Sequence, residues 1–446
     1  MRQVFPHGLT VGLLMVAVGW SWLAAEAQGF PRIAVREGRF VEADSGRTFI
    51  PVGVNYYRVG KADGGKDVHA TFCPGFYDRA FVEKMMADLQ AWGFNTVRTF
   101  QVYHVGPSGI LTSPQAREIS PAYRDNVVHF LQQARQHGVH VIFSWDIWLP
   151  PSEWWSSQAL PGEAKYDLRP GWDEPAGINN FRFGLGSVRT RVNGIVELIR
   201  AIGKQDPDLL RVVMAWELEN EAVFAADRAP FNKREGTFRF GGKDYDLAAD
   251  EQTQALMDEI IVAWASVGAG AIHGADPQAL VSASVFTFAA VGRGGPGTLS
   301  KDKTGDNRIP ARPLALLRSG LDYVDMHSYA WRTDAEGVTS FLDKNLASDE
   351  WPTLSAQGRQ VGKPILVGEA GVFANYLRKP PDWKIDHALG VACLREHLQG
   401  LKAHGLAGVL YWPYGSPDST PNDETPALAL FPQYVPVLQE TWRGMR

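Results

Sequence analysis

The sequence has only two cysteines in 446 residues, Cys73 and Cys393. Two cysteines cannot build a disulfide-rich scaffold or a zinc site made of several thiolates. They lie 320 positions apart, so the sequence allows either one long-range disulfide or two buried free thiols. The chain must therefore fold around a hydrophobic core, and its 45% hydrophobic and 21% charged residues are ordinary for a globular protein.

The sequence also lacks a large excess of charge of either sign. Its net charge is -5 and it has no long run of Lys and Arg, so nucleic acid is not an expected partner. The motifs H-E-x-x-H, the P-loop and Gly-x-Ser-x-Gly do not occur. Residues 292–297 match G-x-G-x-x-G, but the polar stretch after them does not begin the helix that a dinucleotide site requires. We therefore expect no cofactor and no metal.

A long apolar run occurs only near the N-terminus, in residues 9–25. Arg2 precedes it, and Ala25-Glu26-Ala27 has the small-x-small pattern of a signal-peptide cleavage site. Residues 1–27 are therefore predicted to be a secretory signal, which makes the protein secreted or periplasmic. An uncleaved membrane anchor is the alternative, because the run is long for a signal. No other stretch approaches the ~20 apolar residues of a membrane-spanning helix.

Strand and helix patterns alternate along residues 28–446. Residues 33–50 are typical of a β-hairpin, because apolar alternation flanks the turn-forming Glu37-Gly38. Short apolar runs predict eight strands, at 49–55, 95–101, 140–145, 211–216, 281–288, 323–329, 365–369 and 408–412.

Helical patterns lie between the predicted strands. Apolar residues at helical spacing, such as Phe81, Met85 and Leu89, recur after the early strands. Weaker patterns follow the later strands, at 314–317, 338–346, 387–404 and 434–442.

This alternation predicts one domain, a parallel (β/α)8 barrel, which is also called a TIM barrel. The nearly continuous apolar strands fit a sheet that is covered on both faces. An open doubly wound sheet is the alternative. Three long segments, 146–186, 222–250 and 289–310, follow strands, and in a barrel they lie on the face where the strands end.

Two of the predicted strands run directly into glutamates. The fourth leads into Glu217, Glu219 and Glu221, and the seventh ends at Glu369. By strand alternation the first three point to one side, where three unpartnered carboxylates would be costly to bury. We therefore expect Glu217 low in the barrel with a partner and Glu221 at the barrel mouth. Two carboxylates facing each other there are the groups that cleave a glycosidic bond.

Other strand ends make this pattern more specific. Trp216-Glu217-x-x-Asn220-Glu221 and Glu369-x-Gly371 end strands four and seven. Strands two, six and eight end in Arg98, in His327 and Tyr329, and in Trp412. In these residues the chain resembles the retaining (β/α)8 glycoside hydrolases of clan A, and among them family 5, the cellulase and mannanase family. The resemblance extends over about residues 30–445.

The resemblance implies a role for each of these side chains. Glu221 would be the general acid/base and Glu369 the nucleophile, with carboxyl groups ~5–5.5 Å apart for retention rather than ~9 Å for inversion. Arg98 and Tyr329 would keep Glu369 ionised. The others would contact the sugar or the acid/base: Asn220 at the 2-hydroxyl, His327 beside Glu221, and Trp412 as an apolar platform.

The expected substrate is a β-linked oligo- or polysaccharide, with β-1,4-mannan favoured, and we expect the enzyme to act as a monomer. Many cellulase-type members carry a histidine after strand three, where residues 143–148 of this chain have none. Three alternatives stay open: a β-glucanase, an exo-acting glycosidase and a catalytically silent carbohydrate-binding barrel. Glucose and mannose differ in one hydroxyl orientation, and cleft length depends on the three long segments.

Tryptophans are frequent in the presumed top-face segments, where flat rings can stack on sugars. Trp331, two residues beyond Tyr329, is the one that we expect to contact substrate. The full set is Trp148, Trp154, Trp155, Trp172, Trp331 and Trp383.

Overall fold

The computed structural model describes most of the chain. The described residues are 29–61, 67–101, 109–113, 116, 118–145, 179, 182, 185–299, 306–330, 350–373, 387–419 and 425–443. The predicted signal, residues 1–27, and all six loop tryptophans lie outside them. Cys73 and Cys393 are both buried and are not joined by a disulfide, so the alternative of two thiols holds.

A parallel eight-stranded barrel forms the centre of the fold, as predicted. Strand β5 is divided at Ala283, and its halves pair with β4 and β6, which closes the sheet. The strands are β1 (Val52–Tyr56), β2 (Thr96–Gln101), β3 (His140–Trp145), β4 (Val213–Glu217), β5 (Leu280–Ser282 and Ser284–Phe286), β6 (Val324–Ala330), β7 (Ile365–Val372) and β8 (Gly408–Tyr411). The alternative of an open doubly wound sheet is therefore wrong.

In the described part of the chain, one α-helix follows each of the eight strands, and these helices cover the outside of the barrel. The first begins at the Asp78 cap, whose side chain accepts a hydrogen bond from Phe81 N, and ends at Gly93 with φ 72°. The helices are α1 (Arg79–Trp92), α2 (Pro121–Gln136), α3 (Leu185–Gln205), α4 (Asp250–Ala275), α5 (Pro313–Leu317), α6 (Trp351–Val361), α7 (His387–Ala403) and α8 (Val435–Arg443). Short 3-10 helices span Pro207–Arg211, Phe288–Val291 and Pro432–Tyr434.

The predicted N-terminal hairpin is present, as Ile33–Arg36 paired with Arg39–Glu42. Its Ile33 and Phe40 are buried in one cluster with residues from inside the barrel, including Met214 and Tyr323. The hairpin therefore closes the end of the barrel opposite the one where the strands finish. The larger apolar cluster lies between the barrel and the helices.

The segments after β1, β4 and β5 contain short strands that the sequence patterns did not indicate. Val223–Ala225, after β4, pairs antiparallel with Arg308–Pro310, after β5. Thr237–Phe240 and Lys243–Asp246 form a small hairpin, and Val59–Lys61 pairs with Asp67–His69. These strands have three or four residues each, too few for an alternation to be recognised.

The sequence patterns did not indicate a membrane-spanning helix beyond the N-terminal run. By length and hydropathy alone, however, helix α4 could span a membrane. The most apolar stretch of this helix has a mean hydropathy of 1.5, and 56% of it is buried inside the fold. Leu256, Ile260 and Trp264 are among its buried side chains. We therefore describe α4 as a core helix that packs against the barrel.

Candidate active site

The predicted polar residues meet at the carboxyl ends of the strands, around Arg98. Strand register places Arg98 of β2 beside Asn55 of β1, and His327 of β6 beside Glu369 of β7. Parallel strands in a barrel all finish on the same face, so residues distant in sequence come together there. Among the described residues, those singled out from the strand ends therefore lie together at this face.

Arg98 is the centre of the hydrogen-bond network and is fully buried. Its Nε and Nη2 donate to the two carboxylate oxygens of Glu217 at 2.8 and 2.7 Å. Its Nη1 donates to Glu369 Oε1 at 2.7 Å and to Asn55 Oδ1 at 3.0 Å. Nη2 also donates to Asn220 Oδ1 at 2.7 Å. A buried guanidinium needs this degree of pairing to offset its lost hydration.

Glu217 is the buried counter-ion of Arg98. A glutamate low in the barrel was expected to need such a partner. Burial raises the pKa of Glu217, but the charge of Arg98 and its hydrogen bonds hold that pKa below the ordinary glutamate value. Ser144 Oγ donates a further hydrogen bond to Glu217 Oε1 at 3.1 Å. An anion held so firmly is suited to fixing Arg98 and not to exchanging protons.

Glu369 lies above this ion pair with donors on both oxygens. Arg98 binds Oε1, and the Tyr329 hydroxyl donates to Oε2 at 2.6 Å. His327 Nδ1 lies 3.4 Å from the same Oε2. Burial raises the pKa of Glu369, while the charges of His327 and Arg98 and the Tyr329 hydrogen bond oppose that rise.

Glu221 occupies the mouth of the barrel, just beyond β4. Its backbone has φ 54°, a left-handed conformation that is costly for a residue with a Cβ and is often found at functional sites. Its N–H donates to Ser284 Oγ at 2.8 Å, which helps to hold that conformation. Its side chain is 28% exposed, and Oε1 lies 3.0 Å from His327 Nδ1.

His327 connects the two mouth carboxylates. Burial lowers the pKa of His327, but Glu369 and Glu221 raise it above the ordinary histidine value overall. The polar atoms of Glu221, His327 and Glu369 all lie within 4.8 Å of one another. The site therefore brings a partly exposed carboxylate and a buried, well-held carboxylate into a single small cluster.

Aromatic side chains form one wall of the site. Trp412 is half-buried and stacks on Tyr57, with ring centroids 4.7 Å apart and planes at 10°. Phe100 contacts Trp412 edge-on at 5.7 Å. Stacked rings beside carboxylates offer a sugar an apolar surface next to the reacting groups. Trp331, also predicted here, lies outside the described residues.

Comparison with solved structures finds the same barrel fold in several glycoside hydrolases. It matches an endo-1,4-beta-mannanase from Rhizomucor miehei, with a TM-score of 0.55 and 14% identity over 92% of this chain and 99% of that one. It matches an endo-1,4-beta-D-mannanase from Thermotoga petrophila RKU-1, with a TM-score of 0.56 and 13% identity over 88% and 99%. It matches a glycoside hydrolase family 5 mannosidase from Rhizomucor miehei, with a TM-score of 0.51 and 14% identity over 94% and 100%.

The chain has the fold of these two mannanases and of this family 5 mannosidase. No protein-family model matches the chain, and no curated protein matches its sequence. The relationship is therefore one of barrel architecture, and the chemistry has to be argued from the side chains of this glycoside hydrolase-like barrel.

Among the described residues, two groups of side chains come close enough to share a cation. Each group has polar atoms within 4.8 Å of one another: Glu221, His327 and Glu369 in one, and Glu217, Asp325 and His327 in the other. Arg98 already forms ion pairs with Glu217 and with Glu369, at 2.7 Å from each. A metal cation would be repelled by that guanidinium at short range. The charge of Arg98 therefore disfavours a metal ion at either group.

The expectation that Glu217, Glu219 and Glu221 point to one side is wrong, because β4 ends at Glu217. Glu219 forms a fully buried ion pair with Arg182 at 2.9 Å. The Arg182 guanidinium lies over the ring of Trp264 on α4, at 5.1 Å from its centroid. Glu219 therefore pairs away from Arg98 and ties the segment after β3 to α4.

We predict that Arg182→Met lowers the free energy of unfolding by about 3–5 kcal/mol, because it removes the positive charge that faces the fully buried Glu219 carboxylate. Adding Glu219→Met should restore much of that loss. Arg200→Met serves as the control, since the Arg200–Glu197 pair is largely exposed and contributes little. Denaturant unfolding measures all three. Equal losses in the single and the double variant would contradict the pairing.

Sequence reasoning missed several polar residues that support the site. Asn55 accepts from Arg98 and donates to Gly368 O at 2.7 Å. Ser284 accepts from Arg98 at 3.3 Å as well as from Glu221 N. A polar residue inside an otherwise apolar barrel strand is the signal that could have found them. The missed residues are Asn55, Ser144, Ser284 and Asp325.

Proposed function

We propose that this chain is a retaining β-glycoside hydrolase, with Glu369 as the nucleophile and Glu221 as the general acid/base. The observation that carries the proposal is that Glu221 and Glu369 share His327 and have carboxylate oxygens within 4.8 Å of each other. Retaining enzymes hold their carboxyl groups ~5–5.5 Å apart, whereas inverting enzymes need ~6.5–9.5 Å for an intervening water.

The first step forms a glycosyl–enzyme ester. A Glu369 oxygen attacks the anomeric carbon, the bond from that carbon to the leaving oxygen breaks, and Glu221 gives its proton to the leaving oxygen. Arg98 and Tyr329 bind the two Glu369 oxygens and so hold the attacking carboxylate in one orientation. The partial exposure of Glu221 gives it access to the departing sugar.

The second step hydrolyses that ester and restores the enzyme. Glu221, now ionised, takes a proton from water, the water oxygen bonds to the anomeric carbon, and Glu369 leaves. Two displacements on opposite faces return the original β configuration.

The remaining polar and aromatic residues are proposed to bind the sugar at the cleavage position. Arg98 donates a hydrogen bond to Asn220 Oδ1. The amide nitrogen of Asn220 is therefore proposed to donate toward the 2-hydroxyl of the sugar. Trp412, braced by Tyr57, would lie under the apolar face of that sugar. Trp331 keeps its proposed role as a sugar contact.

We propose a β-1,4-mannoside as the substrate. The solved structures of similar fold include two endo-mannanases and a mannosidase, and β3 leads into a segment without histidine. Both an endo-mannanase and an exo-mannosidase occur among the solved structures of this fold. Of the three long segments that would set cleft length, 146–186 lies almost wholly outside the described residues. A β-glucan substrate is the second possibility within the same chemistry.

We further propose that residues 1–27 direct export and are removed, leaving residues 28–446 as one catalytic domain, secreted or periplasmic. The apolar run and the small-x-small site support this. The mature domain is proposed to act as a monomer on glycan, without nucleic acid, membrane or cofactor. N-terminal sequencing of exported protein tests the cleavage site.

Product analysis on β-1,4-mannan, cellulose, xylan and mixed-linkage glucan tests the function. We expect mannan to be hydrolysed fastest and the first product to be the β-anomer by proton NMR. A mechanism-based fluoro-glycoside should label Glu369, as read by peptide mass spectrometry. An α-anomeric first product would contradict retention. Glycan binding without hydrolysis or labelling would instead make the chain a carbohydrate-binding barrel.

We predict that Tyr329→Phe moves the acidic limb of the kcat/KM profile to higher pH, by ~0.5–1 unit. The limb follows deprotonation of Glu369, whose pKa is already raised by burial. The Tyr329 hydroxyl favours the ionised carboxylate, so its loss raises that pKa further. The control is Tyr323→Phe, because Tyr323 lies just before the start of β6, whereas Tyr329 lies near its end. A limb that stayed in place or moved to lower pH would rule out this role for Tyr329.

A further inference from the structure

The site contains one buried carboxyl group that the proposed mechanism does not use. Asp325 lies in β6, two residues before His327, and is fully buried. Its Oδ1 accepts a hydrogen bond from Gly368 N of β7 at 2.6 Å. A Cβ on Gly368 would lie 2.0 Å from Asp325 Oδ2, so a side chain there would displace the carboxyl group. The packing of β7 therefore holds Asp325 in place.

The charged and titratable groups around Asp325 come from its own strand and three others. Arg98 Nε lies 3.8 Å from Oδ2, and Glu217 and His327 each present a polar atom within 4.8 Å of the Asp325 carboxyl. Tyr323 lies below it on the same segment, and Glu369 lies on the other side of His327. Burial and the charge of Glu217 raise the pKa of Asp325 to about 8, against the opposing charges of His327 and Arg98.

The imidazole of His327 has one nitrogen in use and one facing the protein interior. Nδ1 contacts Glu221 and Glu369, as described above. Within the described part of the chain, neither His327 Nε2 nor Asp325 Oδ2 has a hydrogen-bond partner, and both are buried. Buried polar atoms are normally paired, and two in one cluster can satisfy each other directly or through one water.

We propose that Asp325 is a positioning residue that acts on Glu221 through His327. The protonated carboxyl of Asp325 donates to Nε2 on the buried side of the ring, so that Nδ1 carries the hydrogen that faces Glu221 and Glu369. This inference rests on the proposed glycosidase function. It adds a carboxyl group that influences the acid/base through His327 and does not contact the substrate.

The arrangement has a consequence for the alkaline limb of activity. When Asp325 loses its proton as pH rises, the Asp325–His327 pair gains a negative charge. That charge disfavours the loss of a proton from the cluster that His327 forms with the two mouth carboxylates, so the cluster keeps its proton up to a higher pH. In Asp325→Asn this charge cannot form, so the cluster should lose that proton at lower pH.

The first test is the kcat/KM profile of Asp325→Asn, which keeps an acceptor for Gly368 N. We expect its alkaline limb to move to lower pH by ~0.5–1 unit, with the acidic limb in place. Asp322→Asn, a control at the foot of the same strand where Asp322 pairs with His273, should leave both limbs in place. A lower rate at all pH values with no shift of the limb would overturn the proposal, because it would mark Asp325 as purely structural.

The second test needs no substrate, so it separates this inference from the proposed function. In 15N-histidine NMR, the titration of His327 should move to lower pH in Asp325→Asn, because a facing carboxylate favours the imidazolium. A measurement on the wild-type chain does not depend on whether the variant folds. In that chain, the 13C signal of the Asp325 carboxyl should titrate together with the His327 ring. Independent titration of the two would overturn the proposal. A wild-type chain that cleaved no glycoside would overturn only the function.

Discussion

Glu369→Gln should lower kcat/KM by about 10⁴-fold or more on every glycoside that the chain cleaves. A neutral amide cannot attack the anomeric carbon, and no other carboxylate among the described residues has its position between Arg98 and Tyr329. The substitution keeps the shape of the side chain, so the fold should survive. Initial rates on the fastest substrate and circular dichroism measure both effects.

A smaller side chain at the same position gives a positive test. In Glu369→Ala, azide can enter the space of the lost carboxylate and attack the anomeric carbon directly, so the expected product is the α-glycosyl azide. Glu42→Gln is the matched control, since Glu42 is also a largely buried glutamate but lies in the hairpin at the opposite end of the barrel. Near-wild-type turnover in Glu369→Gln would remove Glu369 from the mechanism.

Glu221→Gln should produce a loss that depends on the leaving group. For an unactivated sugar leaving group, which needs a proton, we expect glycosylation to slow by ~10³–10⁴-fold. For a dinitrophenolate leaving group, which departs without a proton, glycosylation should be nearly unaffected and the glycosyl–enzyme should accumulate. Rates across a series of aryl glycosides, with rapid-quench detection of the ester, measure this difference.

The control for Glu221 lies in the same βα segment. Glu235 is exposed, and Glu235→Gln should behave as wild type across the whole series. A uniform loss over all leaving groups in Glu221→Gln would mean that Glu221 binds substrate and does not donate the proton. The same result would leave His327, 3.0 Å from Glu221, as the proton donor to examine next.

The barrel itself could be predicted from the sequence because its strands are local apolar runs. All eight strands were placed, with ends that differ from the observed ones by a few residues. Helix α6 was missed, since a proline at its start and Gly358 within it weaken the helical pattern. The pattern predicted instead at 338–346 lies outside the described residues. The division of β5 depends on closing the sheet, which is a property of the whole barrel.

The site was predictable where chemistry and strand ends coincide. Glu221, Glu369 and Arg98 stand at the ends of apolar runs, and the observed cluster contains all three. The partner of Glu219 was not predictable, because Arg182 lies in a different segment and only the tertiary packing brings it near. Asp325 was overlooked for the same reason, since its importance comes from Gly368 and His327 and not from its neighbours in sequence.

The short antiparallel pairing of Val223–Ala225 with Arg308–Pro310 matters for anyone redesigning this scaffold. The segments after β4 and β5 are hydrogen-bonded to each other directly beyond the Glu221 backbone. Grafting either segment alone from another barrel would remove the strand pairing of three residues in the other segment. It would also disturb the backbone conformation of Glu221. Chimeras should therefore exchange the two segments as a single cassette.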